Sequence, residues 1–289
     1  MERILITGAS GQLGLALNQL MAGQDSFEIL RTDAGRSEDG TVQAMDITEE
    51  AAVRQAVEAF RPDIIINCAA MTAVDLCESK QELAYKINAL GPKYLALAAE
   101  SCGAKLVHVS TDYVYDGQKD KPYVETDEPR PLSVYGRTKL EGEEFVRKHC
   151  SRSFILRTAW VYGVGKNFVK TMLRLSEAGN PIRVVNDQFG SPTSALELAK
   201  VVLFLMDTDS YGIYHTTCEG FTNWYEFAKT IFRLADKEVE VIPIPTSEYP
   251  TPAVRPNYSV LENQALKERH GYEMKHWTDA IEEYMQTLK

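Results

Sequence analysis

Short apolar runs alternate with longer stretches of helical periodicity through the first 160 residues. Ile4 to Thr7 reads as a strand, Gln12 to Met21 as a helix, Glu28 to Thr32 as a second strand and Val42 to Ala44 as a further short one. Thr48 then resembles a helix cap ahead of E-E-A-A-V-R-Q-A-V-E-A-F, which carries acids in its first turn and is closed by Pro62. Asp63 to Cys68, D-I-I-I-N-C, has the pattern of a central strand covered on both faces. Helical sequence resumes through Ala84 to Cys102, where Asn88 is a polar intrusion that an ordinary core amide explains as well as a supporting role in catalysis. Lys105 to Ser110 is the next strand. The later chain predicts a helix near Phe168 to Ala178, a strand near Ile182 to Val185, a long helix after Pro192, and helices at Trp224 to Leu234 and Trp277 to Leu288. Alternating strands and helices of this kind predict an α/β fold with a parallel sheet.

The junction of the first strand and helix is rich in glycine. Residues 7 to 14 read T-G-A-S-G-Q-L-G, and Gly8, Gly11 and Gly14 follow G-x-x-G-x-x-G. Gly8 suits a conformation closed to other residues, Gly11 lets the backbone approach a pyrophosphate, and Gly14 lets the helix pack closely on the strand. The N–H groups of residues 12 to 14, backed by the helix dipole, then face the phosphates of a dinucleotide. Asp33, at the end of the second strand, is placed to accept hydrogen bonds from an adenosine ribose, which suits NAD(H); Arg31 and Arg36 nearby suit a 2′-phosphate instead, and both options stay open. Small Ala69 and Ala70, after the D-I-I-I-N-C strand, leave room for a cofactor against the strand end.

Composition narrows the partners. Thirty-one basic against 41 acidic residues give a net charge of −10 with no basic run, which argues against nucleic acid or an anionic membrane surface. The longest apolar runs, such as Val201 to Met206, fall far short of a membrane span, so the expectation is a soluble, cytoplasmic protein. Cys68, Cys77, Cys102, Cys150 and Cys218 are scattered and read as buried free thiols rather than disulfides or a zinc site; no histidine pair has metal-ligand spacing.

Chemistry concentrates in V-Y-G-R-T-K-L-E-G-E-E-F-V, where Tyr135 and Lys139 are four apart and share one helix face. A phenol of ordinary pKa near 10 is a poor acid–base group at neutral pH, and an ammonium one turn away together with a cationic nicotinamide ring favours its phenolate. Thr111, delivered by the Lys105 strand, adds a hydroxyl that orients a carbonyl oxygen.

With these features in place, the chain resembles the extended short-chain dehydrogenases/reductases, and more narrowly the dTDP-4-dehydrorhamnose reductases. The resemblance rests on T-G-A-S-G-Q-L-G, N-C-A-A-M-T-A-V-D at 67 to 75, S-T-D-Y-V-Y-D-G at 110 to 117, Y-G-R-T-K at 135 to 139, R-T-A-W-V-Y-G at 157 to 163, N-F-V-K-T-M-L-R-L at 167 to 175, D-Q-F-G-S-P-T at 187 to 193 and G-I-Y-H at 212 to 215. It implies a Rossmann-type parallel sheet with helices on both faces and a smaller C-terminal substrate lobe. The implied division is 1–160 for the NAD(P)-binding domain and 161–289 mainly for the sugar-nucleotide lobe, with some segments returning to the first domain. It further implies Thr111, Tyr135 and Lys139 as the catalytic set, Gly8, Gly11, Gln12, Leu13 and Gly14 around the pyrophosphate, Asp46 and Ile47 beside the adenine, and Ala69, Ala70 and Met71 along the cofactor channel. Tyr113 and Trp160 would flank the sugar, with Asn167 and Gln188 in the nucleotide-sugar region. The implied reaction is NADPH- or NADH-dependent reduction of the C4 keto group of dTDP-4-dehydro-L-rhamnose. Another nucleotide-sugar reductase, an epimerase, or a non-enzymatic regulatory subunit like that of methionine adenosyltransferase are the alternatives. Sugar-nucleotide dehydratases carry an Asp-Glu pair after this threonine, where the present chain has Asp112-Tyr113.

One departure stands out. Related bacterial reductases dimerise around magnesium held partly by two glutamates, whose places here are taken by Ala16 and Leu196, with Glu197 displaced by one. Alanine and leucine offer no oxygen ligand to a hard cation. The expectation is therefore no metal site, no magnesium requirement, and a monomer or a metal-independent homodimer.

Overall fold

The structure, a computed structural model, describes residues 1–288. In chain order the first part runs β1 (Glu2–Thr7), α1 (Gln12–Met21), β2 (Phe27–Asp33), β3 (Gln43–Ala44), α2 (Glu50–Phe60), β4 (Ile64–Asn67), α3 (Val74–Ser79), α4 (Gln81–Tyr85), a π-helical turn (Lys86–Leu90), α5 (Gly91–Cys102), β5 (Lys105–Thr111), a 3₁₀ turn (Asp112–Val114), α6 (Val134–His149) and β6 (Ser153–Thr158). There follow β7 (Val161–Tyr162), α7 (Phe168–Ser176), β8 (Ile182–Val185), β9 (Phe189–Gly190), β10 (Thr193–Ser194), α8 (Ala195–Met206) and β11 (Gly212–His215). The chain ends with β12 (Thr222–Asn223), α9 (Trp224–Leu234), β13 (Val241–Ile244), a second 3₁₀ turn (Thr246–Glu248), α10 (Gln264–His270) and α11 (Trp277–Gln286). Among the described residues no helix is long and apolar enough to cross a membrane.

Seven strands form one parallel sheet in the order β11-β6-β5-β4-β1-β2-β3. Successive residues of its strands point to opposite faces. Ile4, Ile6, Ile64, Ile66, Val107, Phe154 and Leu156 therefore pack on one side against α1 and α8, while Leu5, Ile65, Leu106 and Ile155 pack on the other against α2, α5 and α6. Burial of both faces explains the unbroken apolar runs of β1 and β4. The chain leaves β1 towards β2 and β3, then crosses back to β4 on its other side. The crevice at the carboxyl ends of β1 and β4 is thus the switch point of the sheet, where ligands bind in such folds.

A second apolar cluster gathers Tyr162, Val169, Phe227, Ile231, Trp277 and Ile281 from α7, α9 and α11. Its parallel β8–β13 pair completes a lobe beyond the carboxyl edge of the sheet. Strand β11 and helix α8 belong to the sheet layer although they follow residue 160 in sequence.

Three local expectations are corrected. The thiols are not all buried, since Cys102 is exposed. Thr48 is not the cap of α2: Glu49 occupies that position without a side-chain bond, and Thr48 donates its N–H and hydroxyl to Asp46 Oδ1 at 2.9 and 2.8 Å. The helix foreseen from Ala84 to Cys102 is broken by the π-helical turn centred on Asn88. That widened turn points the buried Asn88 amide at the loop after β4, where it accepts from Met71 N at 2.8 Å and donates to Met71 O at 3.1 Å and Thr138 Oγ1 at 3.3 Å. Gly142 of α6 is pressed onto Asn88 O, so the turn is gripped from both sides.

Asn88→Ala leaves both polar backbone groups of Met71 buried without a partner, and the expected loss is about 2–3 kcal/mol. Urea denaturation checks this: the midpoint should fall with an unchanged slope.

Candidate active site

The crevice is closed by backbone. Gly8 has φ +65°, and a Cβ there would lie 2.7 Å from Ala69 N. A Cβ on Gly14 would lie 2.5 Å from Gly8 O. The turn after β1 is therefore pressed between the β4 loop and the start of α1, and neither position admits a side chain. Helix α1 begins at Gln12 with Gly11 as its cap, so the N–H groups of Gln12, Leu13 and Gly14 belong to a first turn that cannot satisfy them internally. Leu13 is in the hydrophobic core and contributes only its backbone to this end. The Gln12 amide turns to the lobe, donating to Val161 O at 3.3 Å.

Beside this turn lies a cavity of about 300 Å³ lined by Gly8, Gly11, Asp33, Asp46, Ile47, Ala69 and Ala70. The structure thus brings seven of the residues foreseen for cofactor binding around one space. The Asp33 carboxylate accepts from Ser10 N at 3.1 Å and Ala34 N at 2.8 Å. Arg31 turns away, its Nε donating to Asn18 Oδ1 at 2.7 Å. The side-chain-free turn, the exposed helix N-terminus and the acid-rimmed cavity fit a dinucleotide.

Strand β5 and helix α6 build the other half. Ser133 caps α6 by accepting from Gly136 N at 3.1 Å, and Gly136 lies directly on Tyr113 O, which seats the helix start against the turn following β5. Tyr135 and Tyr113 meet edge to face with centroids 5.6 Å apart, and Met71 packs in the same cluster. Thr111 donates to Asp112 Oδ1 at 3.0 Å and accepts from Tyr113 N at 3.2 Å. Lys139 is buried and its Nζ donates to Val109 O at 2.6 Å.

Burial governs protonation here. It pushes the Tyr135 phenol above its ordinary range; the Thr111 hydroxyl opposes this and the Asp112 and Cys77 side chains add to it. It pulls Lys139 down to about 8, against the charge of Glu143 and, more weakly, Cys68. The expected lowering of the phenol by Lys139 is therefore corrected: the ammonium is turned to Val109 O, and desolvation dominates both groups. Asp112 is buried and pushed up to about 6 by desolvation, despite hydrogen bonds from Ser259 Oγ at 2.5 Å and Thr111.

The four residues foreseen around the sugar nucleotide come from different segments of the chain. Trp160 has φ +48° and stacks on Trp224 with centroids 3.5 Å apart, on the inner side of the lobe. Gly190 lies so close to its ring that a Cβ would come within 2.6 Å. Asn167 caps α7 and donates to Gly163 O at 2.7 Å and Gln12 Oε1 at 3.3 Å, so it stands beside the glycine turn. Gln188 is buried and donates to Thr246 Oγ1 at 3.1 Å.

Several neighbours were not foreseen. Asn67 accepts from Thr7 Oγ1 at 2.7 Å and pairs with His108 Nδ1 at 3.0 Å, a polar row across β1, β4 and β5 beneath the crevice. The signal was present as single polar residues within D-I-I-I-N-C and K-L-V-H-V-S. Ser259, which reaches Asp112 from a distant segment, had no such signal.

Comparison with known proteins places this geometry. The RmlD substrate binding domain family matches residues 1–289. The spore coat polysaccharide biosynthesis protein SpsK of Bacillus subtilis is 42% identical over 287 residues, covering 99% of this chain and 98% of that protein. The crystal structure of a dTDP-4-dehydrorhamnose reductase from Clostridium acetobutylicum superposes with a TM-score of 0.93 at 47% identity, covering 99% of both chains. The dTDP-4-dehydrorhamnose reductase of Bacillus anthracis, solved in complex with NADP, gives 0.92 at 40% identity with the same coverage.

Asp112 supplies a pH test. A carboxyl whose pKa is higher folded than unfolded binds its proton more tightly in the fold. Its ionised form therefore subtracts from stability above about pH 6, and the subtraction fades as pH falls towards the ordinary value of 3.8. Asp112→Asn should be more stable relative to the parent at pH 8 than at pH 4.5, by about 1–3 kcal/mol. Urea unfolding of both proteins at the two pH values measures the difference.

Proposed function

This chain belongs to the dTDP-4-dehydrorhamnose reductase family, and we propose that it reduces the C4 keto group of dTDP-4-dehydro-L-rhamnose with NAD(P)H to give dTDP-L-rhamnose. The observation that carries this reading is the meeting of Thr111, Tyr113 and Tyr135 at the strand ends beside the glycine turn, in a chain that matches such reductases end to end.

A bound reduced nicotinamide would supply the hydride for the carbonyl carbon. Tyr135 gives a proton to the carbonyl oxygen; burial, by keeping its phenol protonated, suits it to donate. Thr111 orients that oxygen with Tyr135. The Lys139 ammonium holds ribose hydroxyls and adds positive charge where negative charge develops. Gly8, Gly11 and Gly14 with the N–H groups of Gln12 and Leu13 hold the pyrophosphate, Asp33 the adenosine ribose, Asp46 and Ile47 the adenine, and Ala69, Ala70 and Met71 the channel. Tyr113, Trp160, Asn167 and Gln188 receive the dTDP-sugar between the domain of residues 1–160 and the lobe built mainly from 161–289. NADPH and NADH are both candidate reductants: Asp33 faces the cavity, and the relative from Bacillus anthracis binds NADP.

The same reading has the chain working in the cytoplasm without magnesium, as a monomer or a metal-independent homodimer. Ala16 is buried in the core, and Glu197, the residue after Leu196, is also buried and is bonded to Lys200 at 2.6 Å with Lys275 at 3.8 Å. A carboxylate neutralised by two ammonium groups is a weak ligand for a hard cation.

The direct test is turnover of the keto-sugar nucleotide with each reductant, with the product identified by NMR; no reduction with either would end this reading. Tyr135→Phe should keep cofactor affinity and lose about 10²–10⁴ in kcat, and an unchanged kcat would take the phenol out of the reaction. Chelation by EDTA should leave both rate and sedimentation coefficient as they were. A joint loss that added magnesium reverses would show that other residues rebuild a metal site.

A further inference from the structure

Beneath the candidate site, α6 carries a second ionisable residue one turn beyond Lys139. Glu143 is 1% exposed and Arg157, on β6, is 2% exposed, yet they form a full ion pair. Arg157 Nη2 donates to Glu143 Oε2 at 2.6 Å and its Nε to Oε1 at 3.0 Å. Ser110, the residue before Thr111, donates to Glu143 Oε1 at 2.5 Å. Arg157 is fixed in turn by donating to Tyr115 Oη at 2.7 Å, and that phenol meets His215 Nε2 at 2.9 Å. A carboxylate bonded by two elements besides its own cannot change rotamer without breaking several bonds.

Among the described residues Lys139 has one protein hydrogen bond, to a neutral carbonyl, and no carboxylate within bonding distance. An isolated ammonium in such a place gives up its proton. The titratable groups facing it are Cys68 from the loop after β4, His108 from β5, and Tyr135 and Glu143 on its own helix. Burial holds the first three neutral: the Cys68 thiol is pushed up to about 12, His108 well below its ordinary range, and the Tyr135 phenol upward. Among the described residues Glu143 is thus the one negative charge facing Lys139, and residues at i and i+4 lie one above the other on a helix.

We propose that Glu143, locked by Arg157 and Ser110, is a positioning residue of the reaction that keeps the buried Lys139 ammonium charged. The role rests on the reading of Lys139 as catalytic. It accounts for a desolvated ion pair placed directly behind the site, where hydrophobic residues would stabilise the fold as well.

The test reads Lys139 itself, in cofactor-free protein labelled with ε-carbon-13 lysine, its resonance assigned by its absence from Lys139→Arg. The parent should titrate near 8, and Glu143→Gln should lower that midpoint by about one pH unit or more. Because this change strands Arg157, the double variant Glu143→Gln, Arg157→Met, which leaves neither charge unpaired, serves if the single one does not fold; its midpoint should fall likewise. In turnover the alkaline limb of kcat/KM should move down with the NMR midpoint, and activity lost at pH 8 should return towards pH 6. A midpoint and limb that stay in place, with the rate lowered equally at every pH, would reduce Glu143 to a structural role. Full activity in Lys139→Ala would instead remove the lysine from the reaction, and this role with it, even where the midpoint had moved.

Discussion

The close approach of Gly8 to Ala69 is the constraint on which the site depends. The carboxyl ends of β1 and β4 lie side by side because the sheet order reverses between them, and the loops leaving them must pass each other at backbone distance. A side chain at residue 8 would force these loops apart, and one at residue 14 would lift α1 off the turn. From that contact follow the aim of the α1 N-terminus and the path of residues 69 to 71 past the cavity. The π-helical turn at Asn88 exists to hold this path from behind: a regular helix would carry the amide to another face.

Burial is the second organising force, and it acts on charge as much as on apolar area. Thr7, Asn67 and His108 share a level across three strands, since their partners in register coincide, and the neutral imidazole accepts from the Asn67 amide at Nδ1. Glu143 and Arg157 close the same layer further along the sheet. Desolvation of this kind is tolerated only with partners. Among the described residues His108 Nε2 has no hydrogen-bond partner.

How much was legible in the sequence follows from the range of the interactions involved. The glycine spacing, the central strands, and the shared helix face of Tyr135 and Lys139 are local, and periodicity exposes them; α1 begins and ends at the expected residues. Placement of β11 beside β6 is not local, because it depends on the lobe being an excursion from which the chain returns. Thr48 looked like a cap because its residue type suits one, but the preceding Asp46 bonds its N–H and hydroxyl first. The protonation of Tyr135 was misjudged for a related reason. Sequence shows that a lysine lies one turn away, whereas desolvation depends on everything packed around the pair.

That desolvation sets the order in which the two groups titrate. An exposed phenol and an exposed ammonium titrate close together, near 10, and either could end activity at alkaline pH. Here burial moves them in opposite directions, because it disfavours whichever form is charged: the phenolate of Tyr135 and the ammonium of Lys139. The Tyr135 phenol is thus pushed upward by burial, while Lys139 is pulled down to about 8. In the proposed reduction the proton donor is thus the robust partner, and the charge that helps bind and stabilise is the fragile one. In that proposed reduction the alkaline boundary belongs to the lysine, and whatever sustains its charge sets how far into that range the site works.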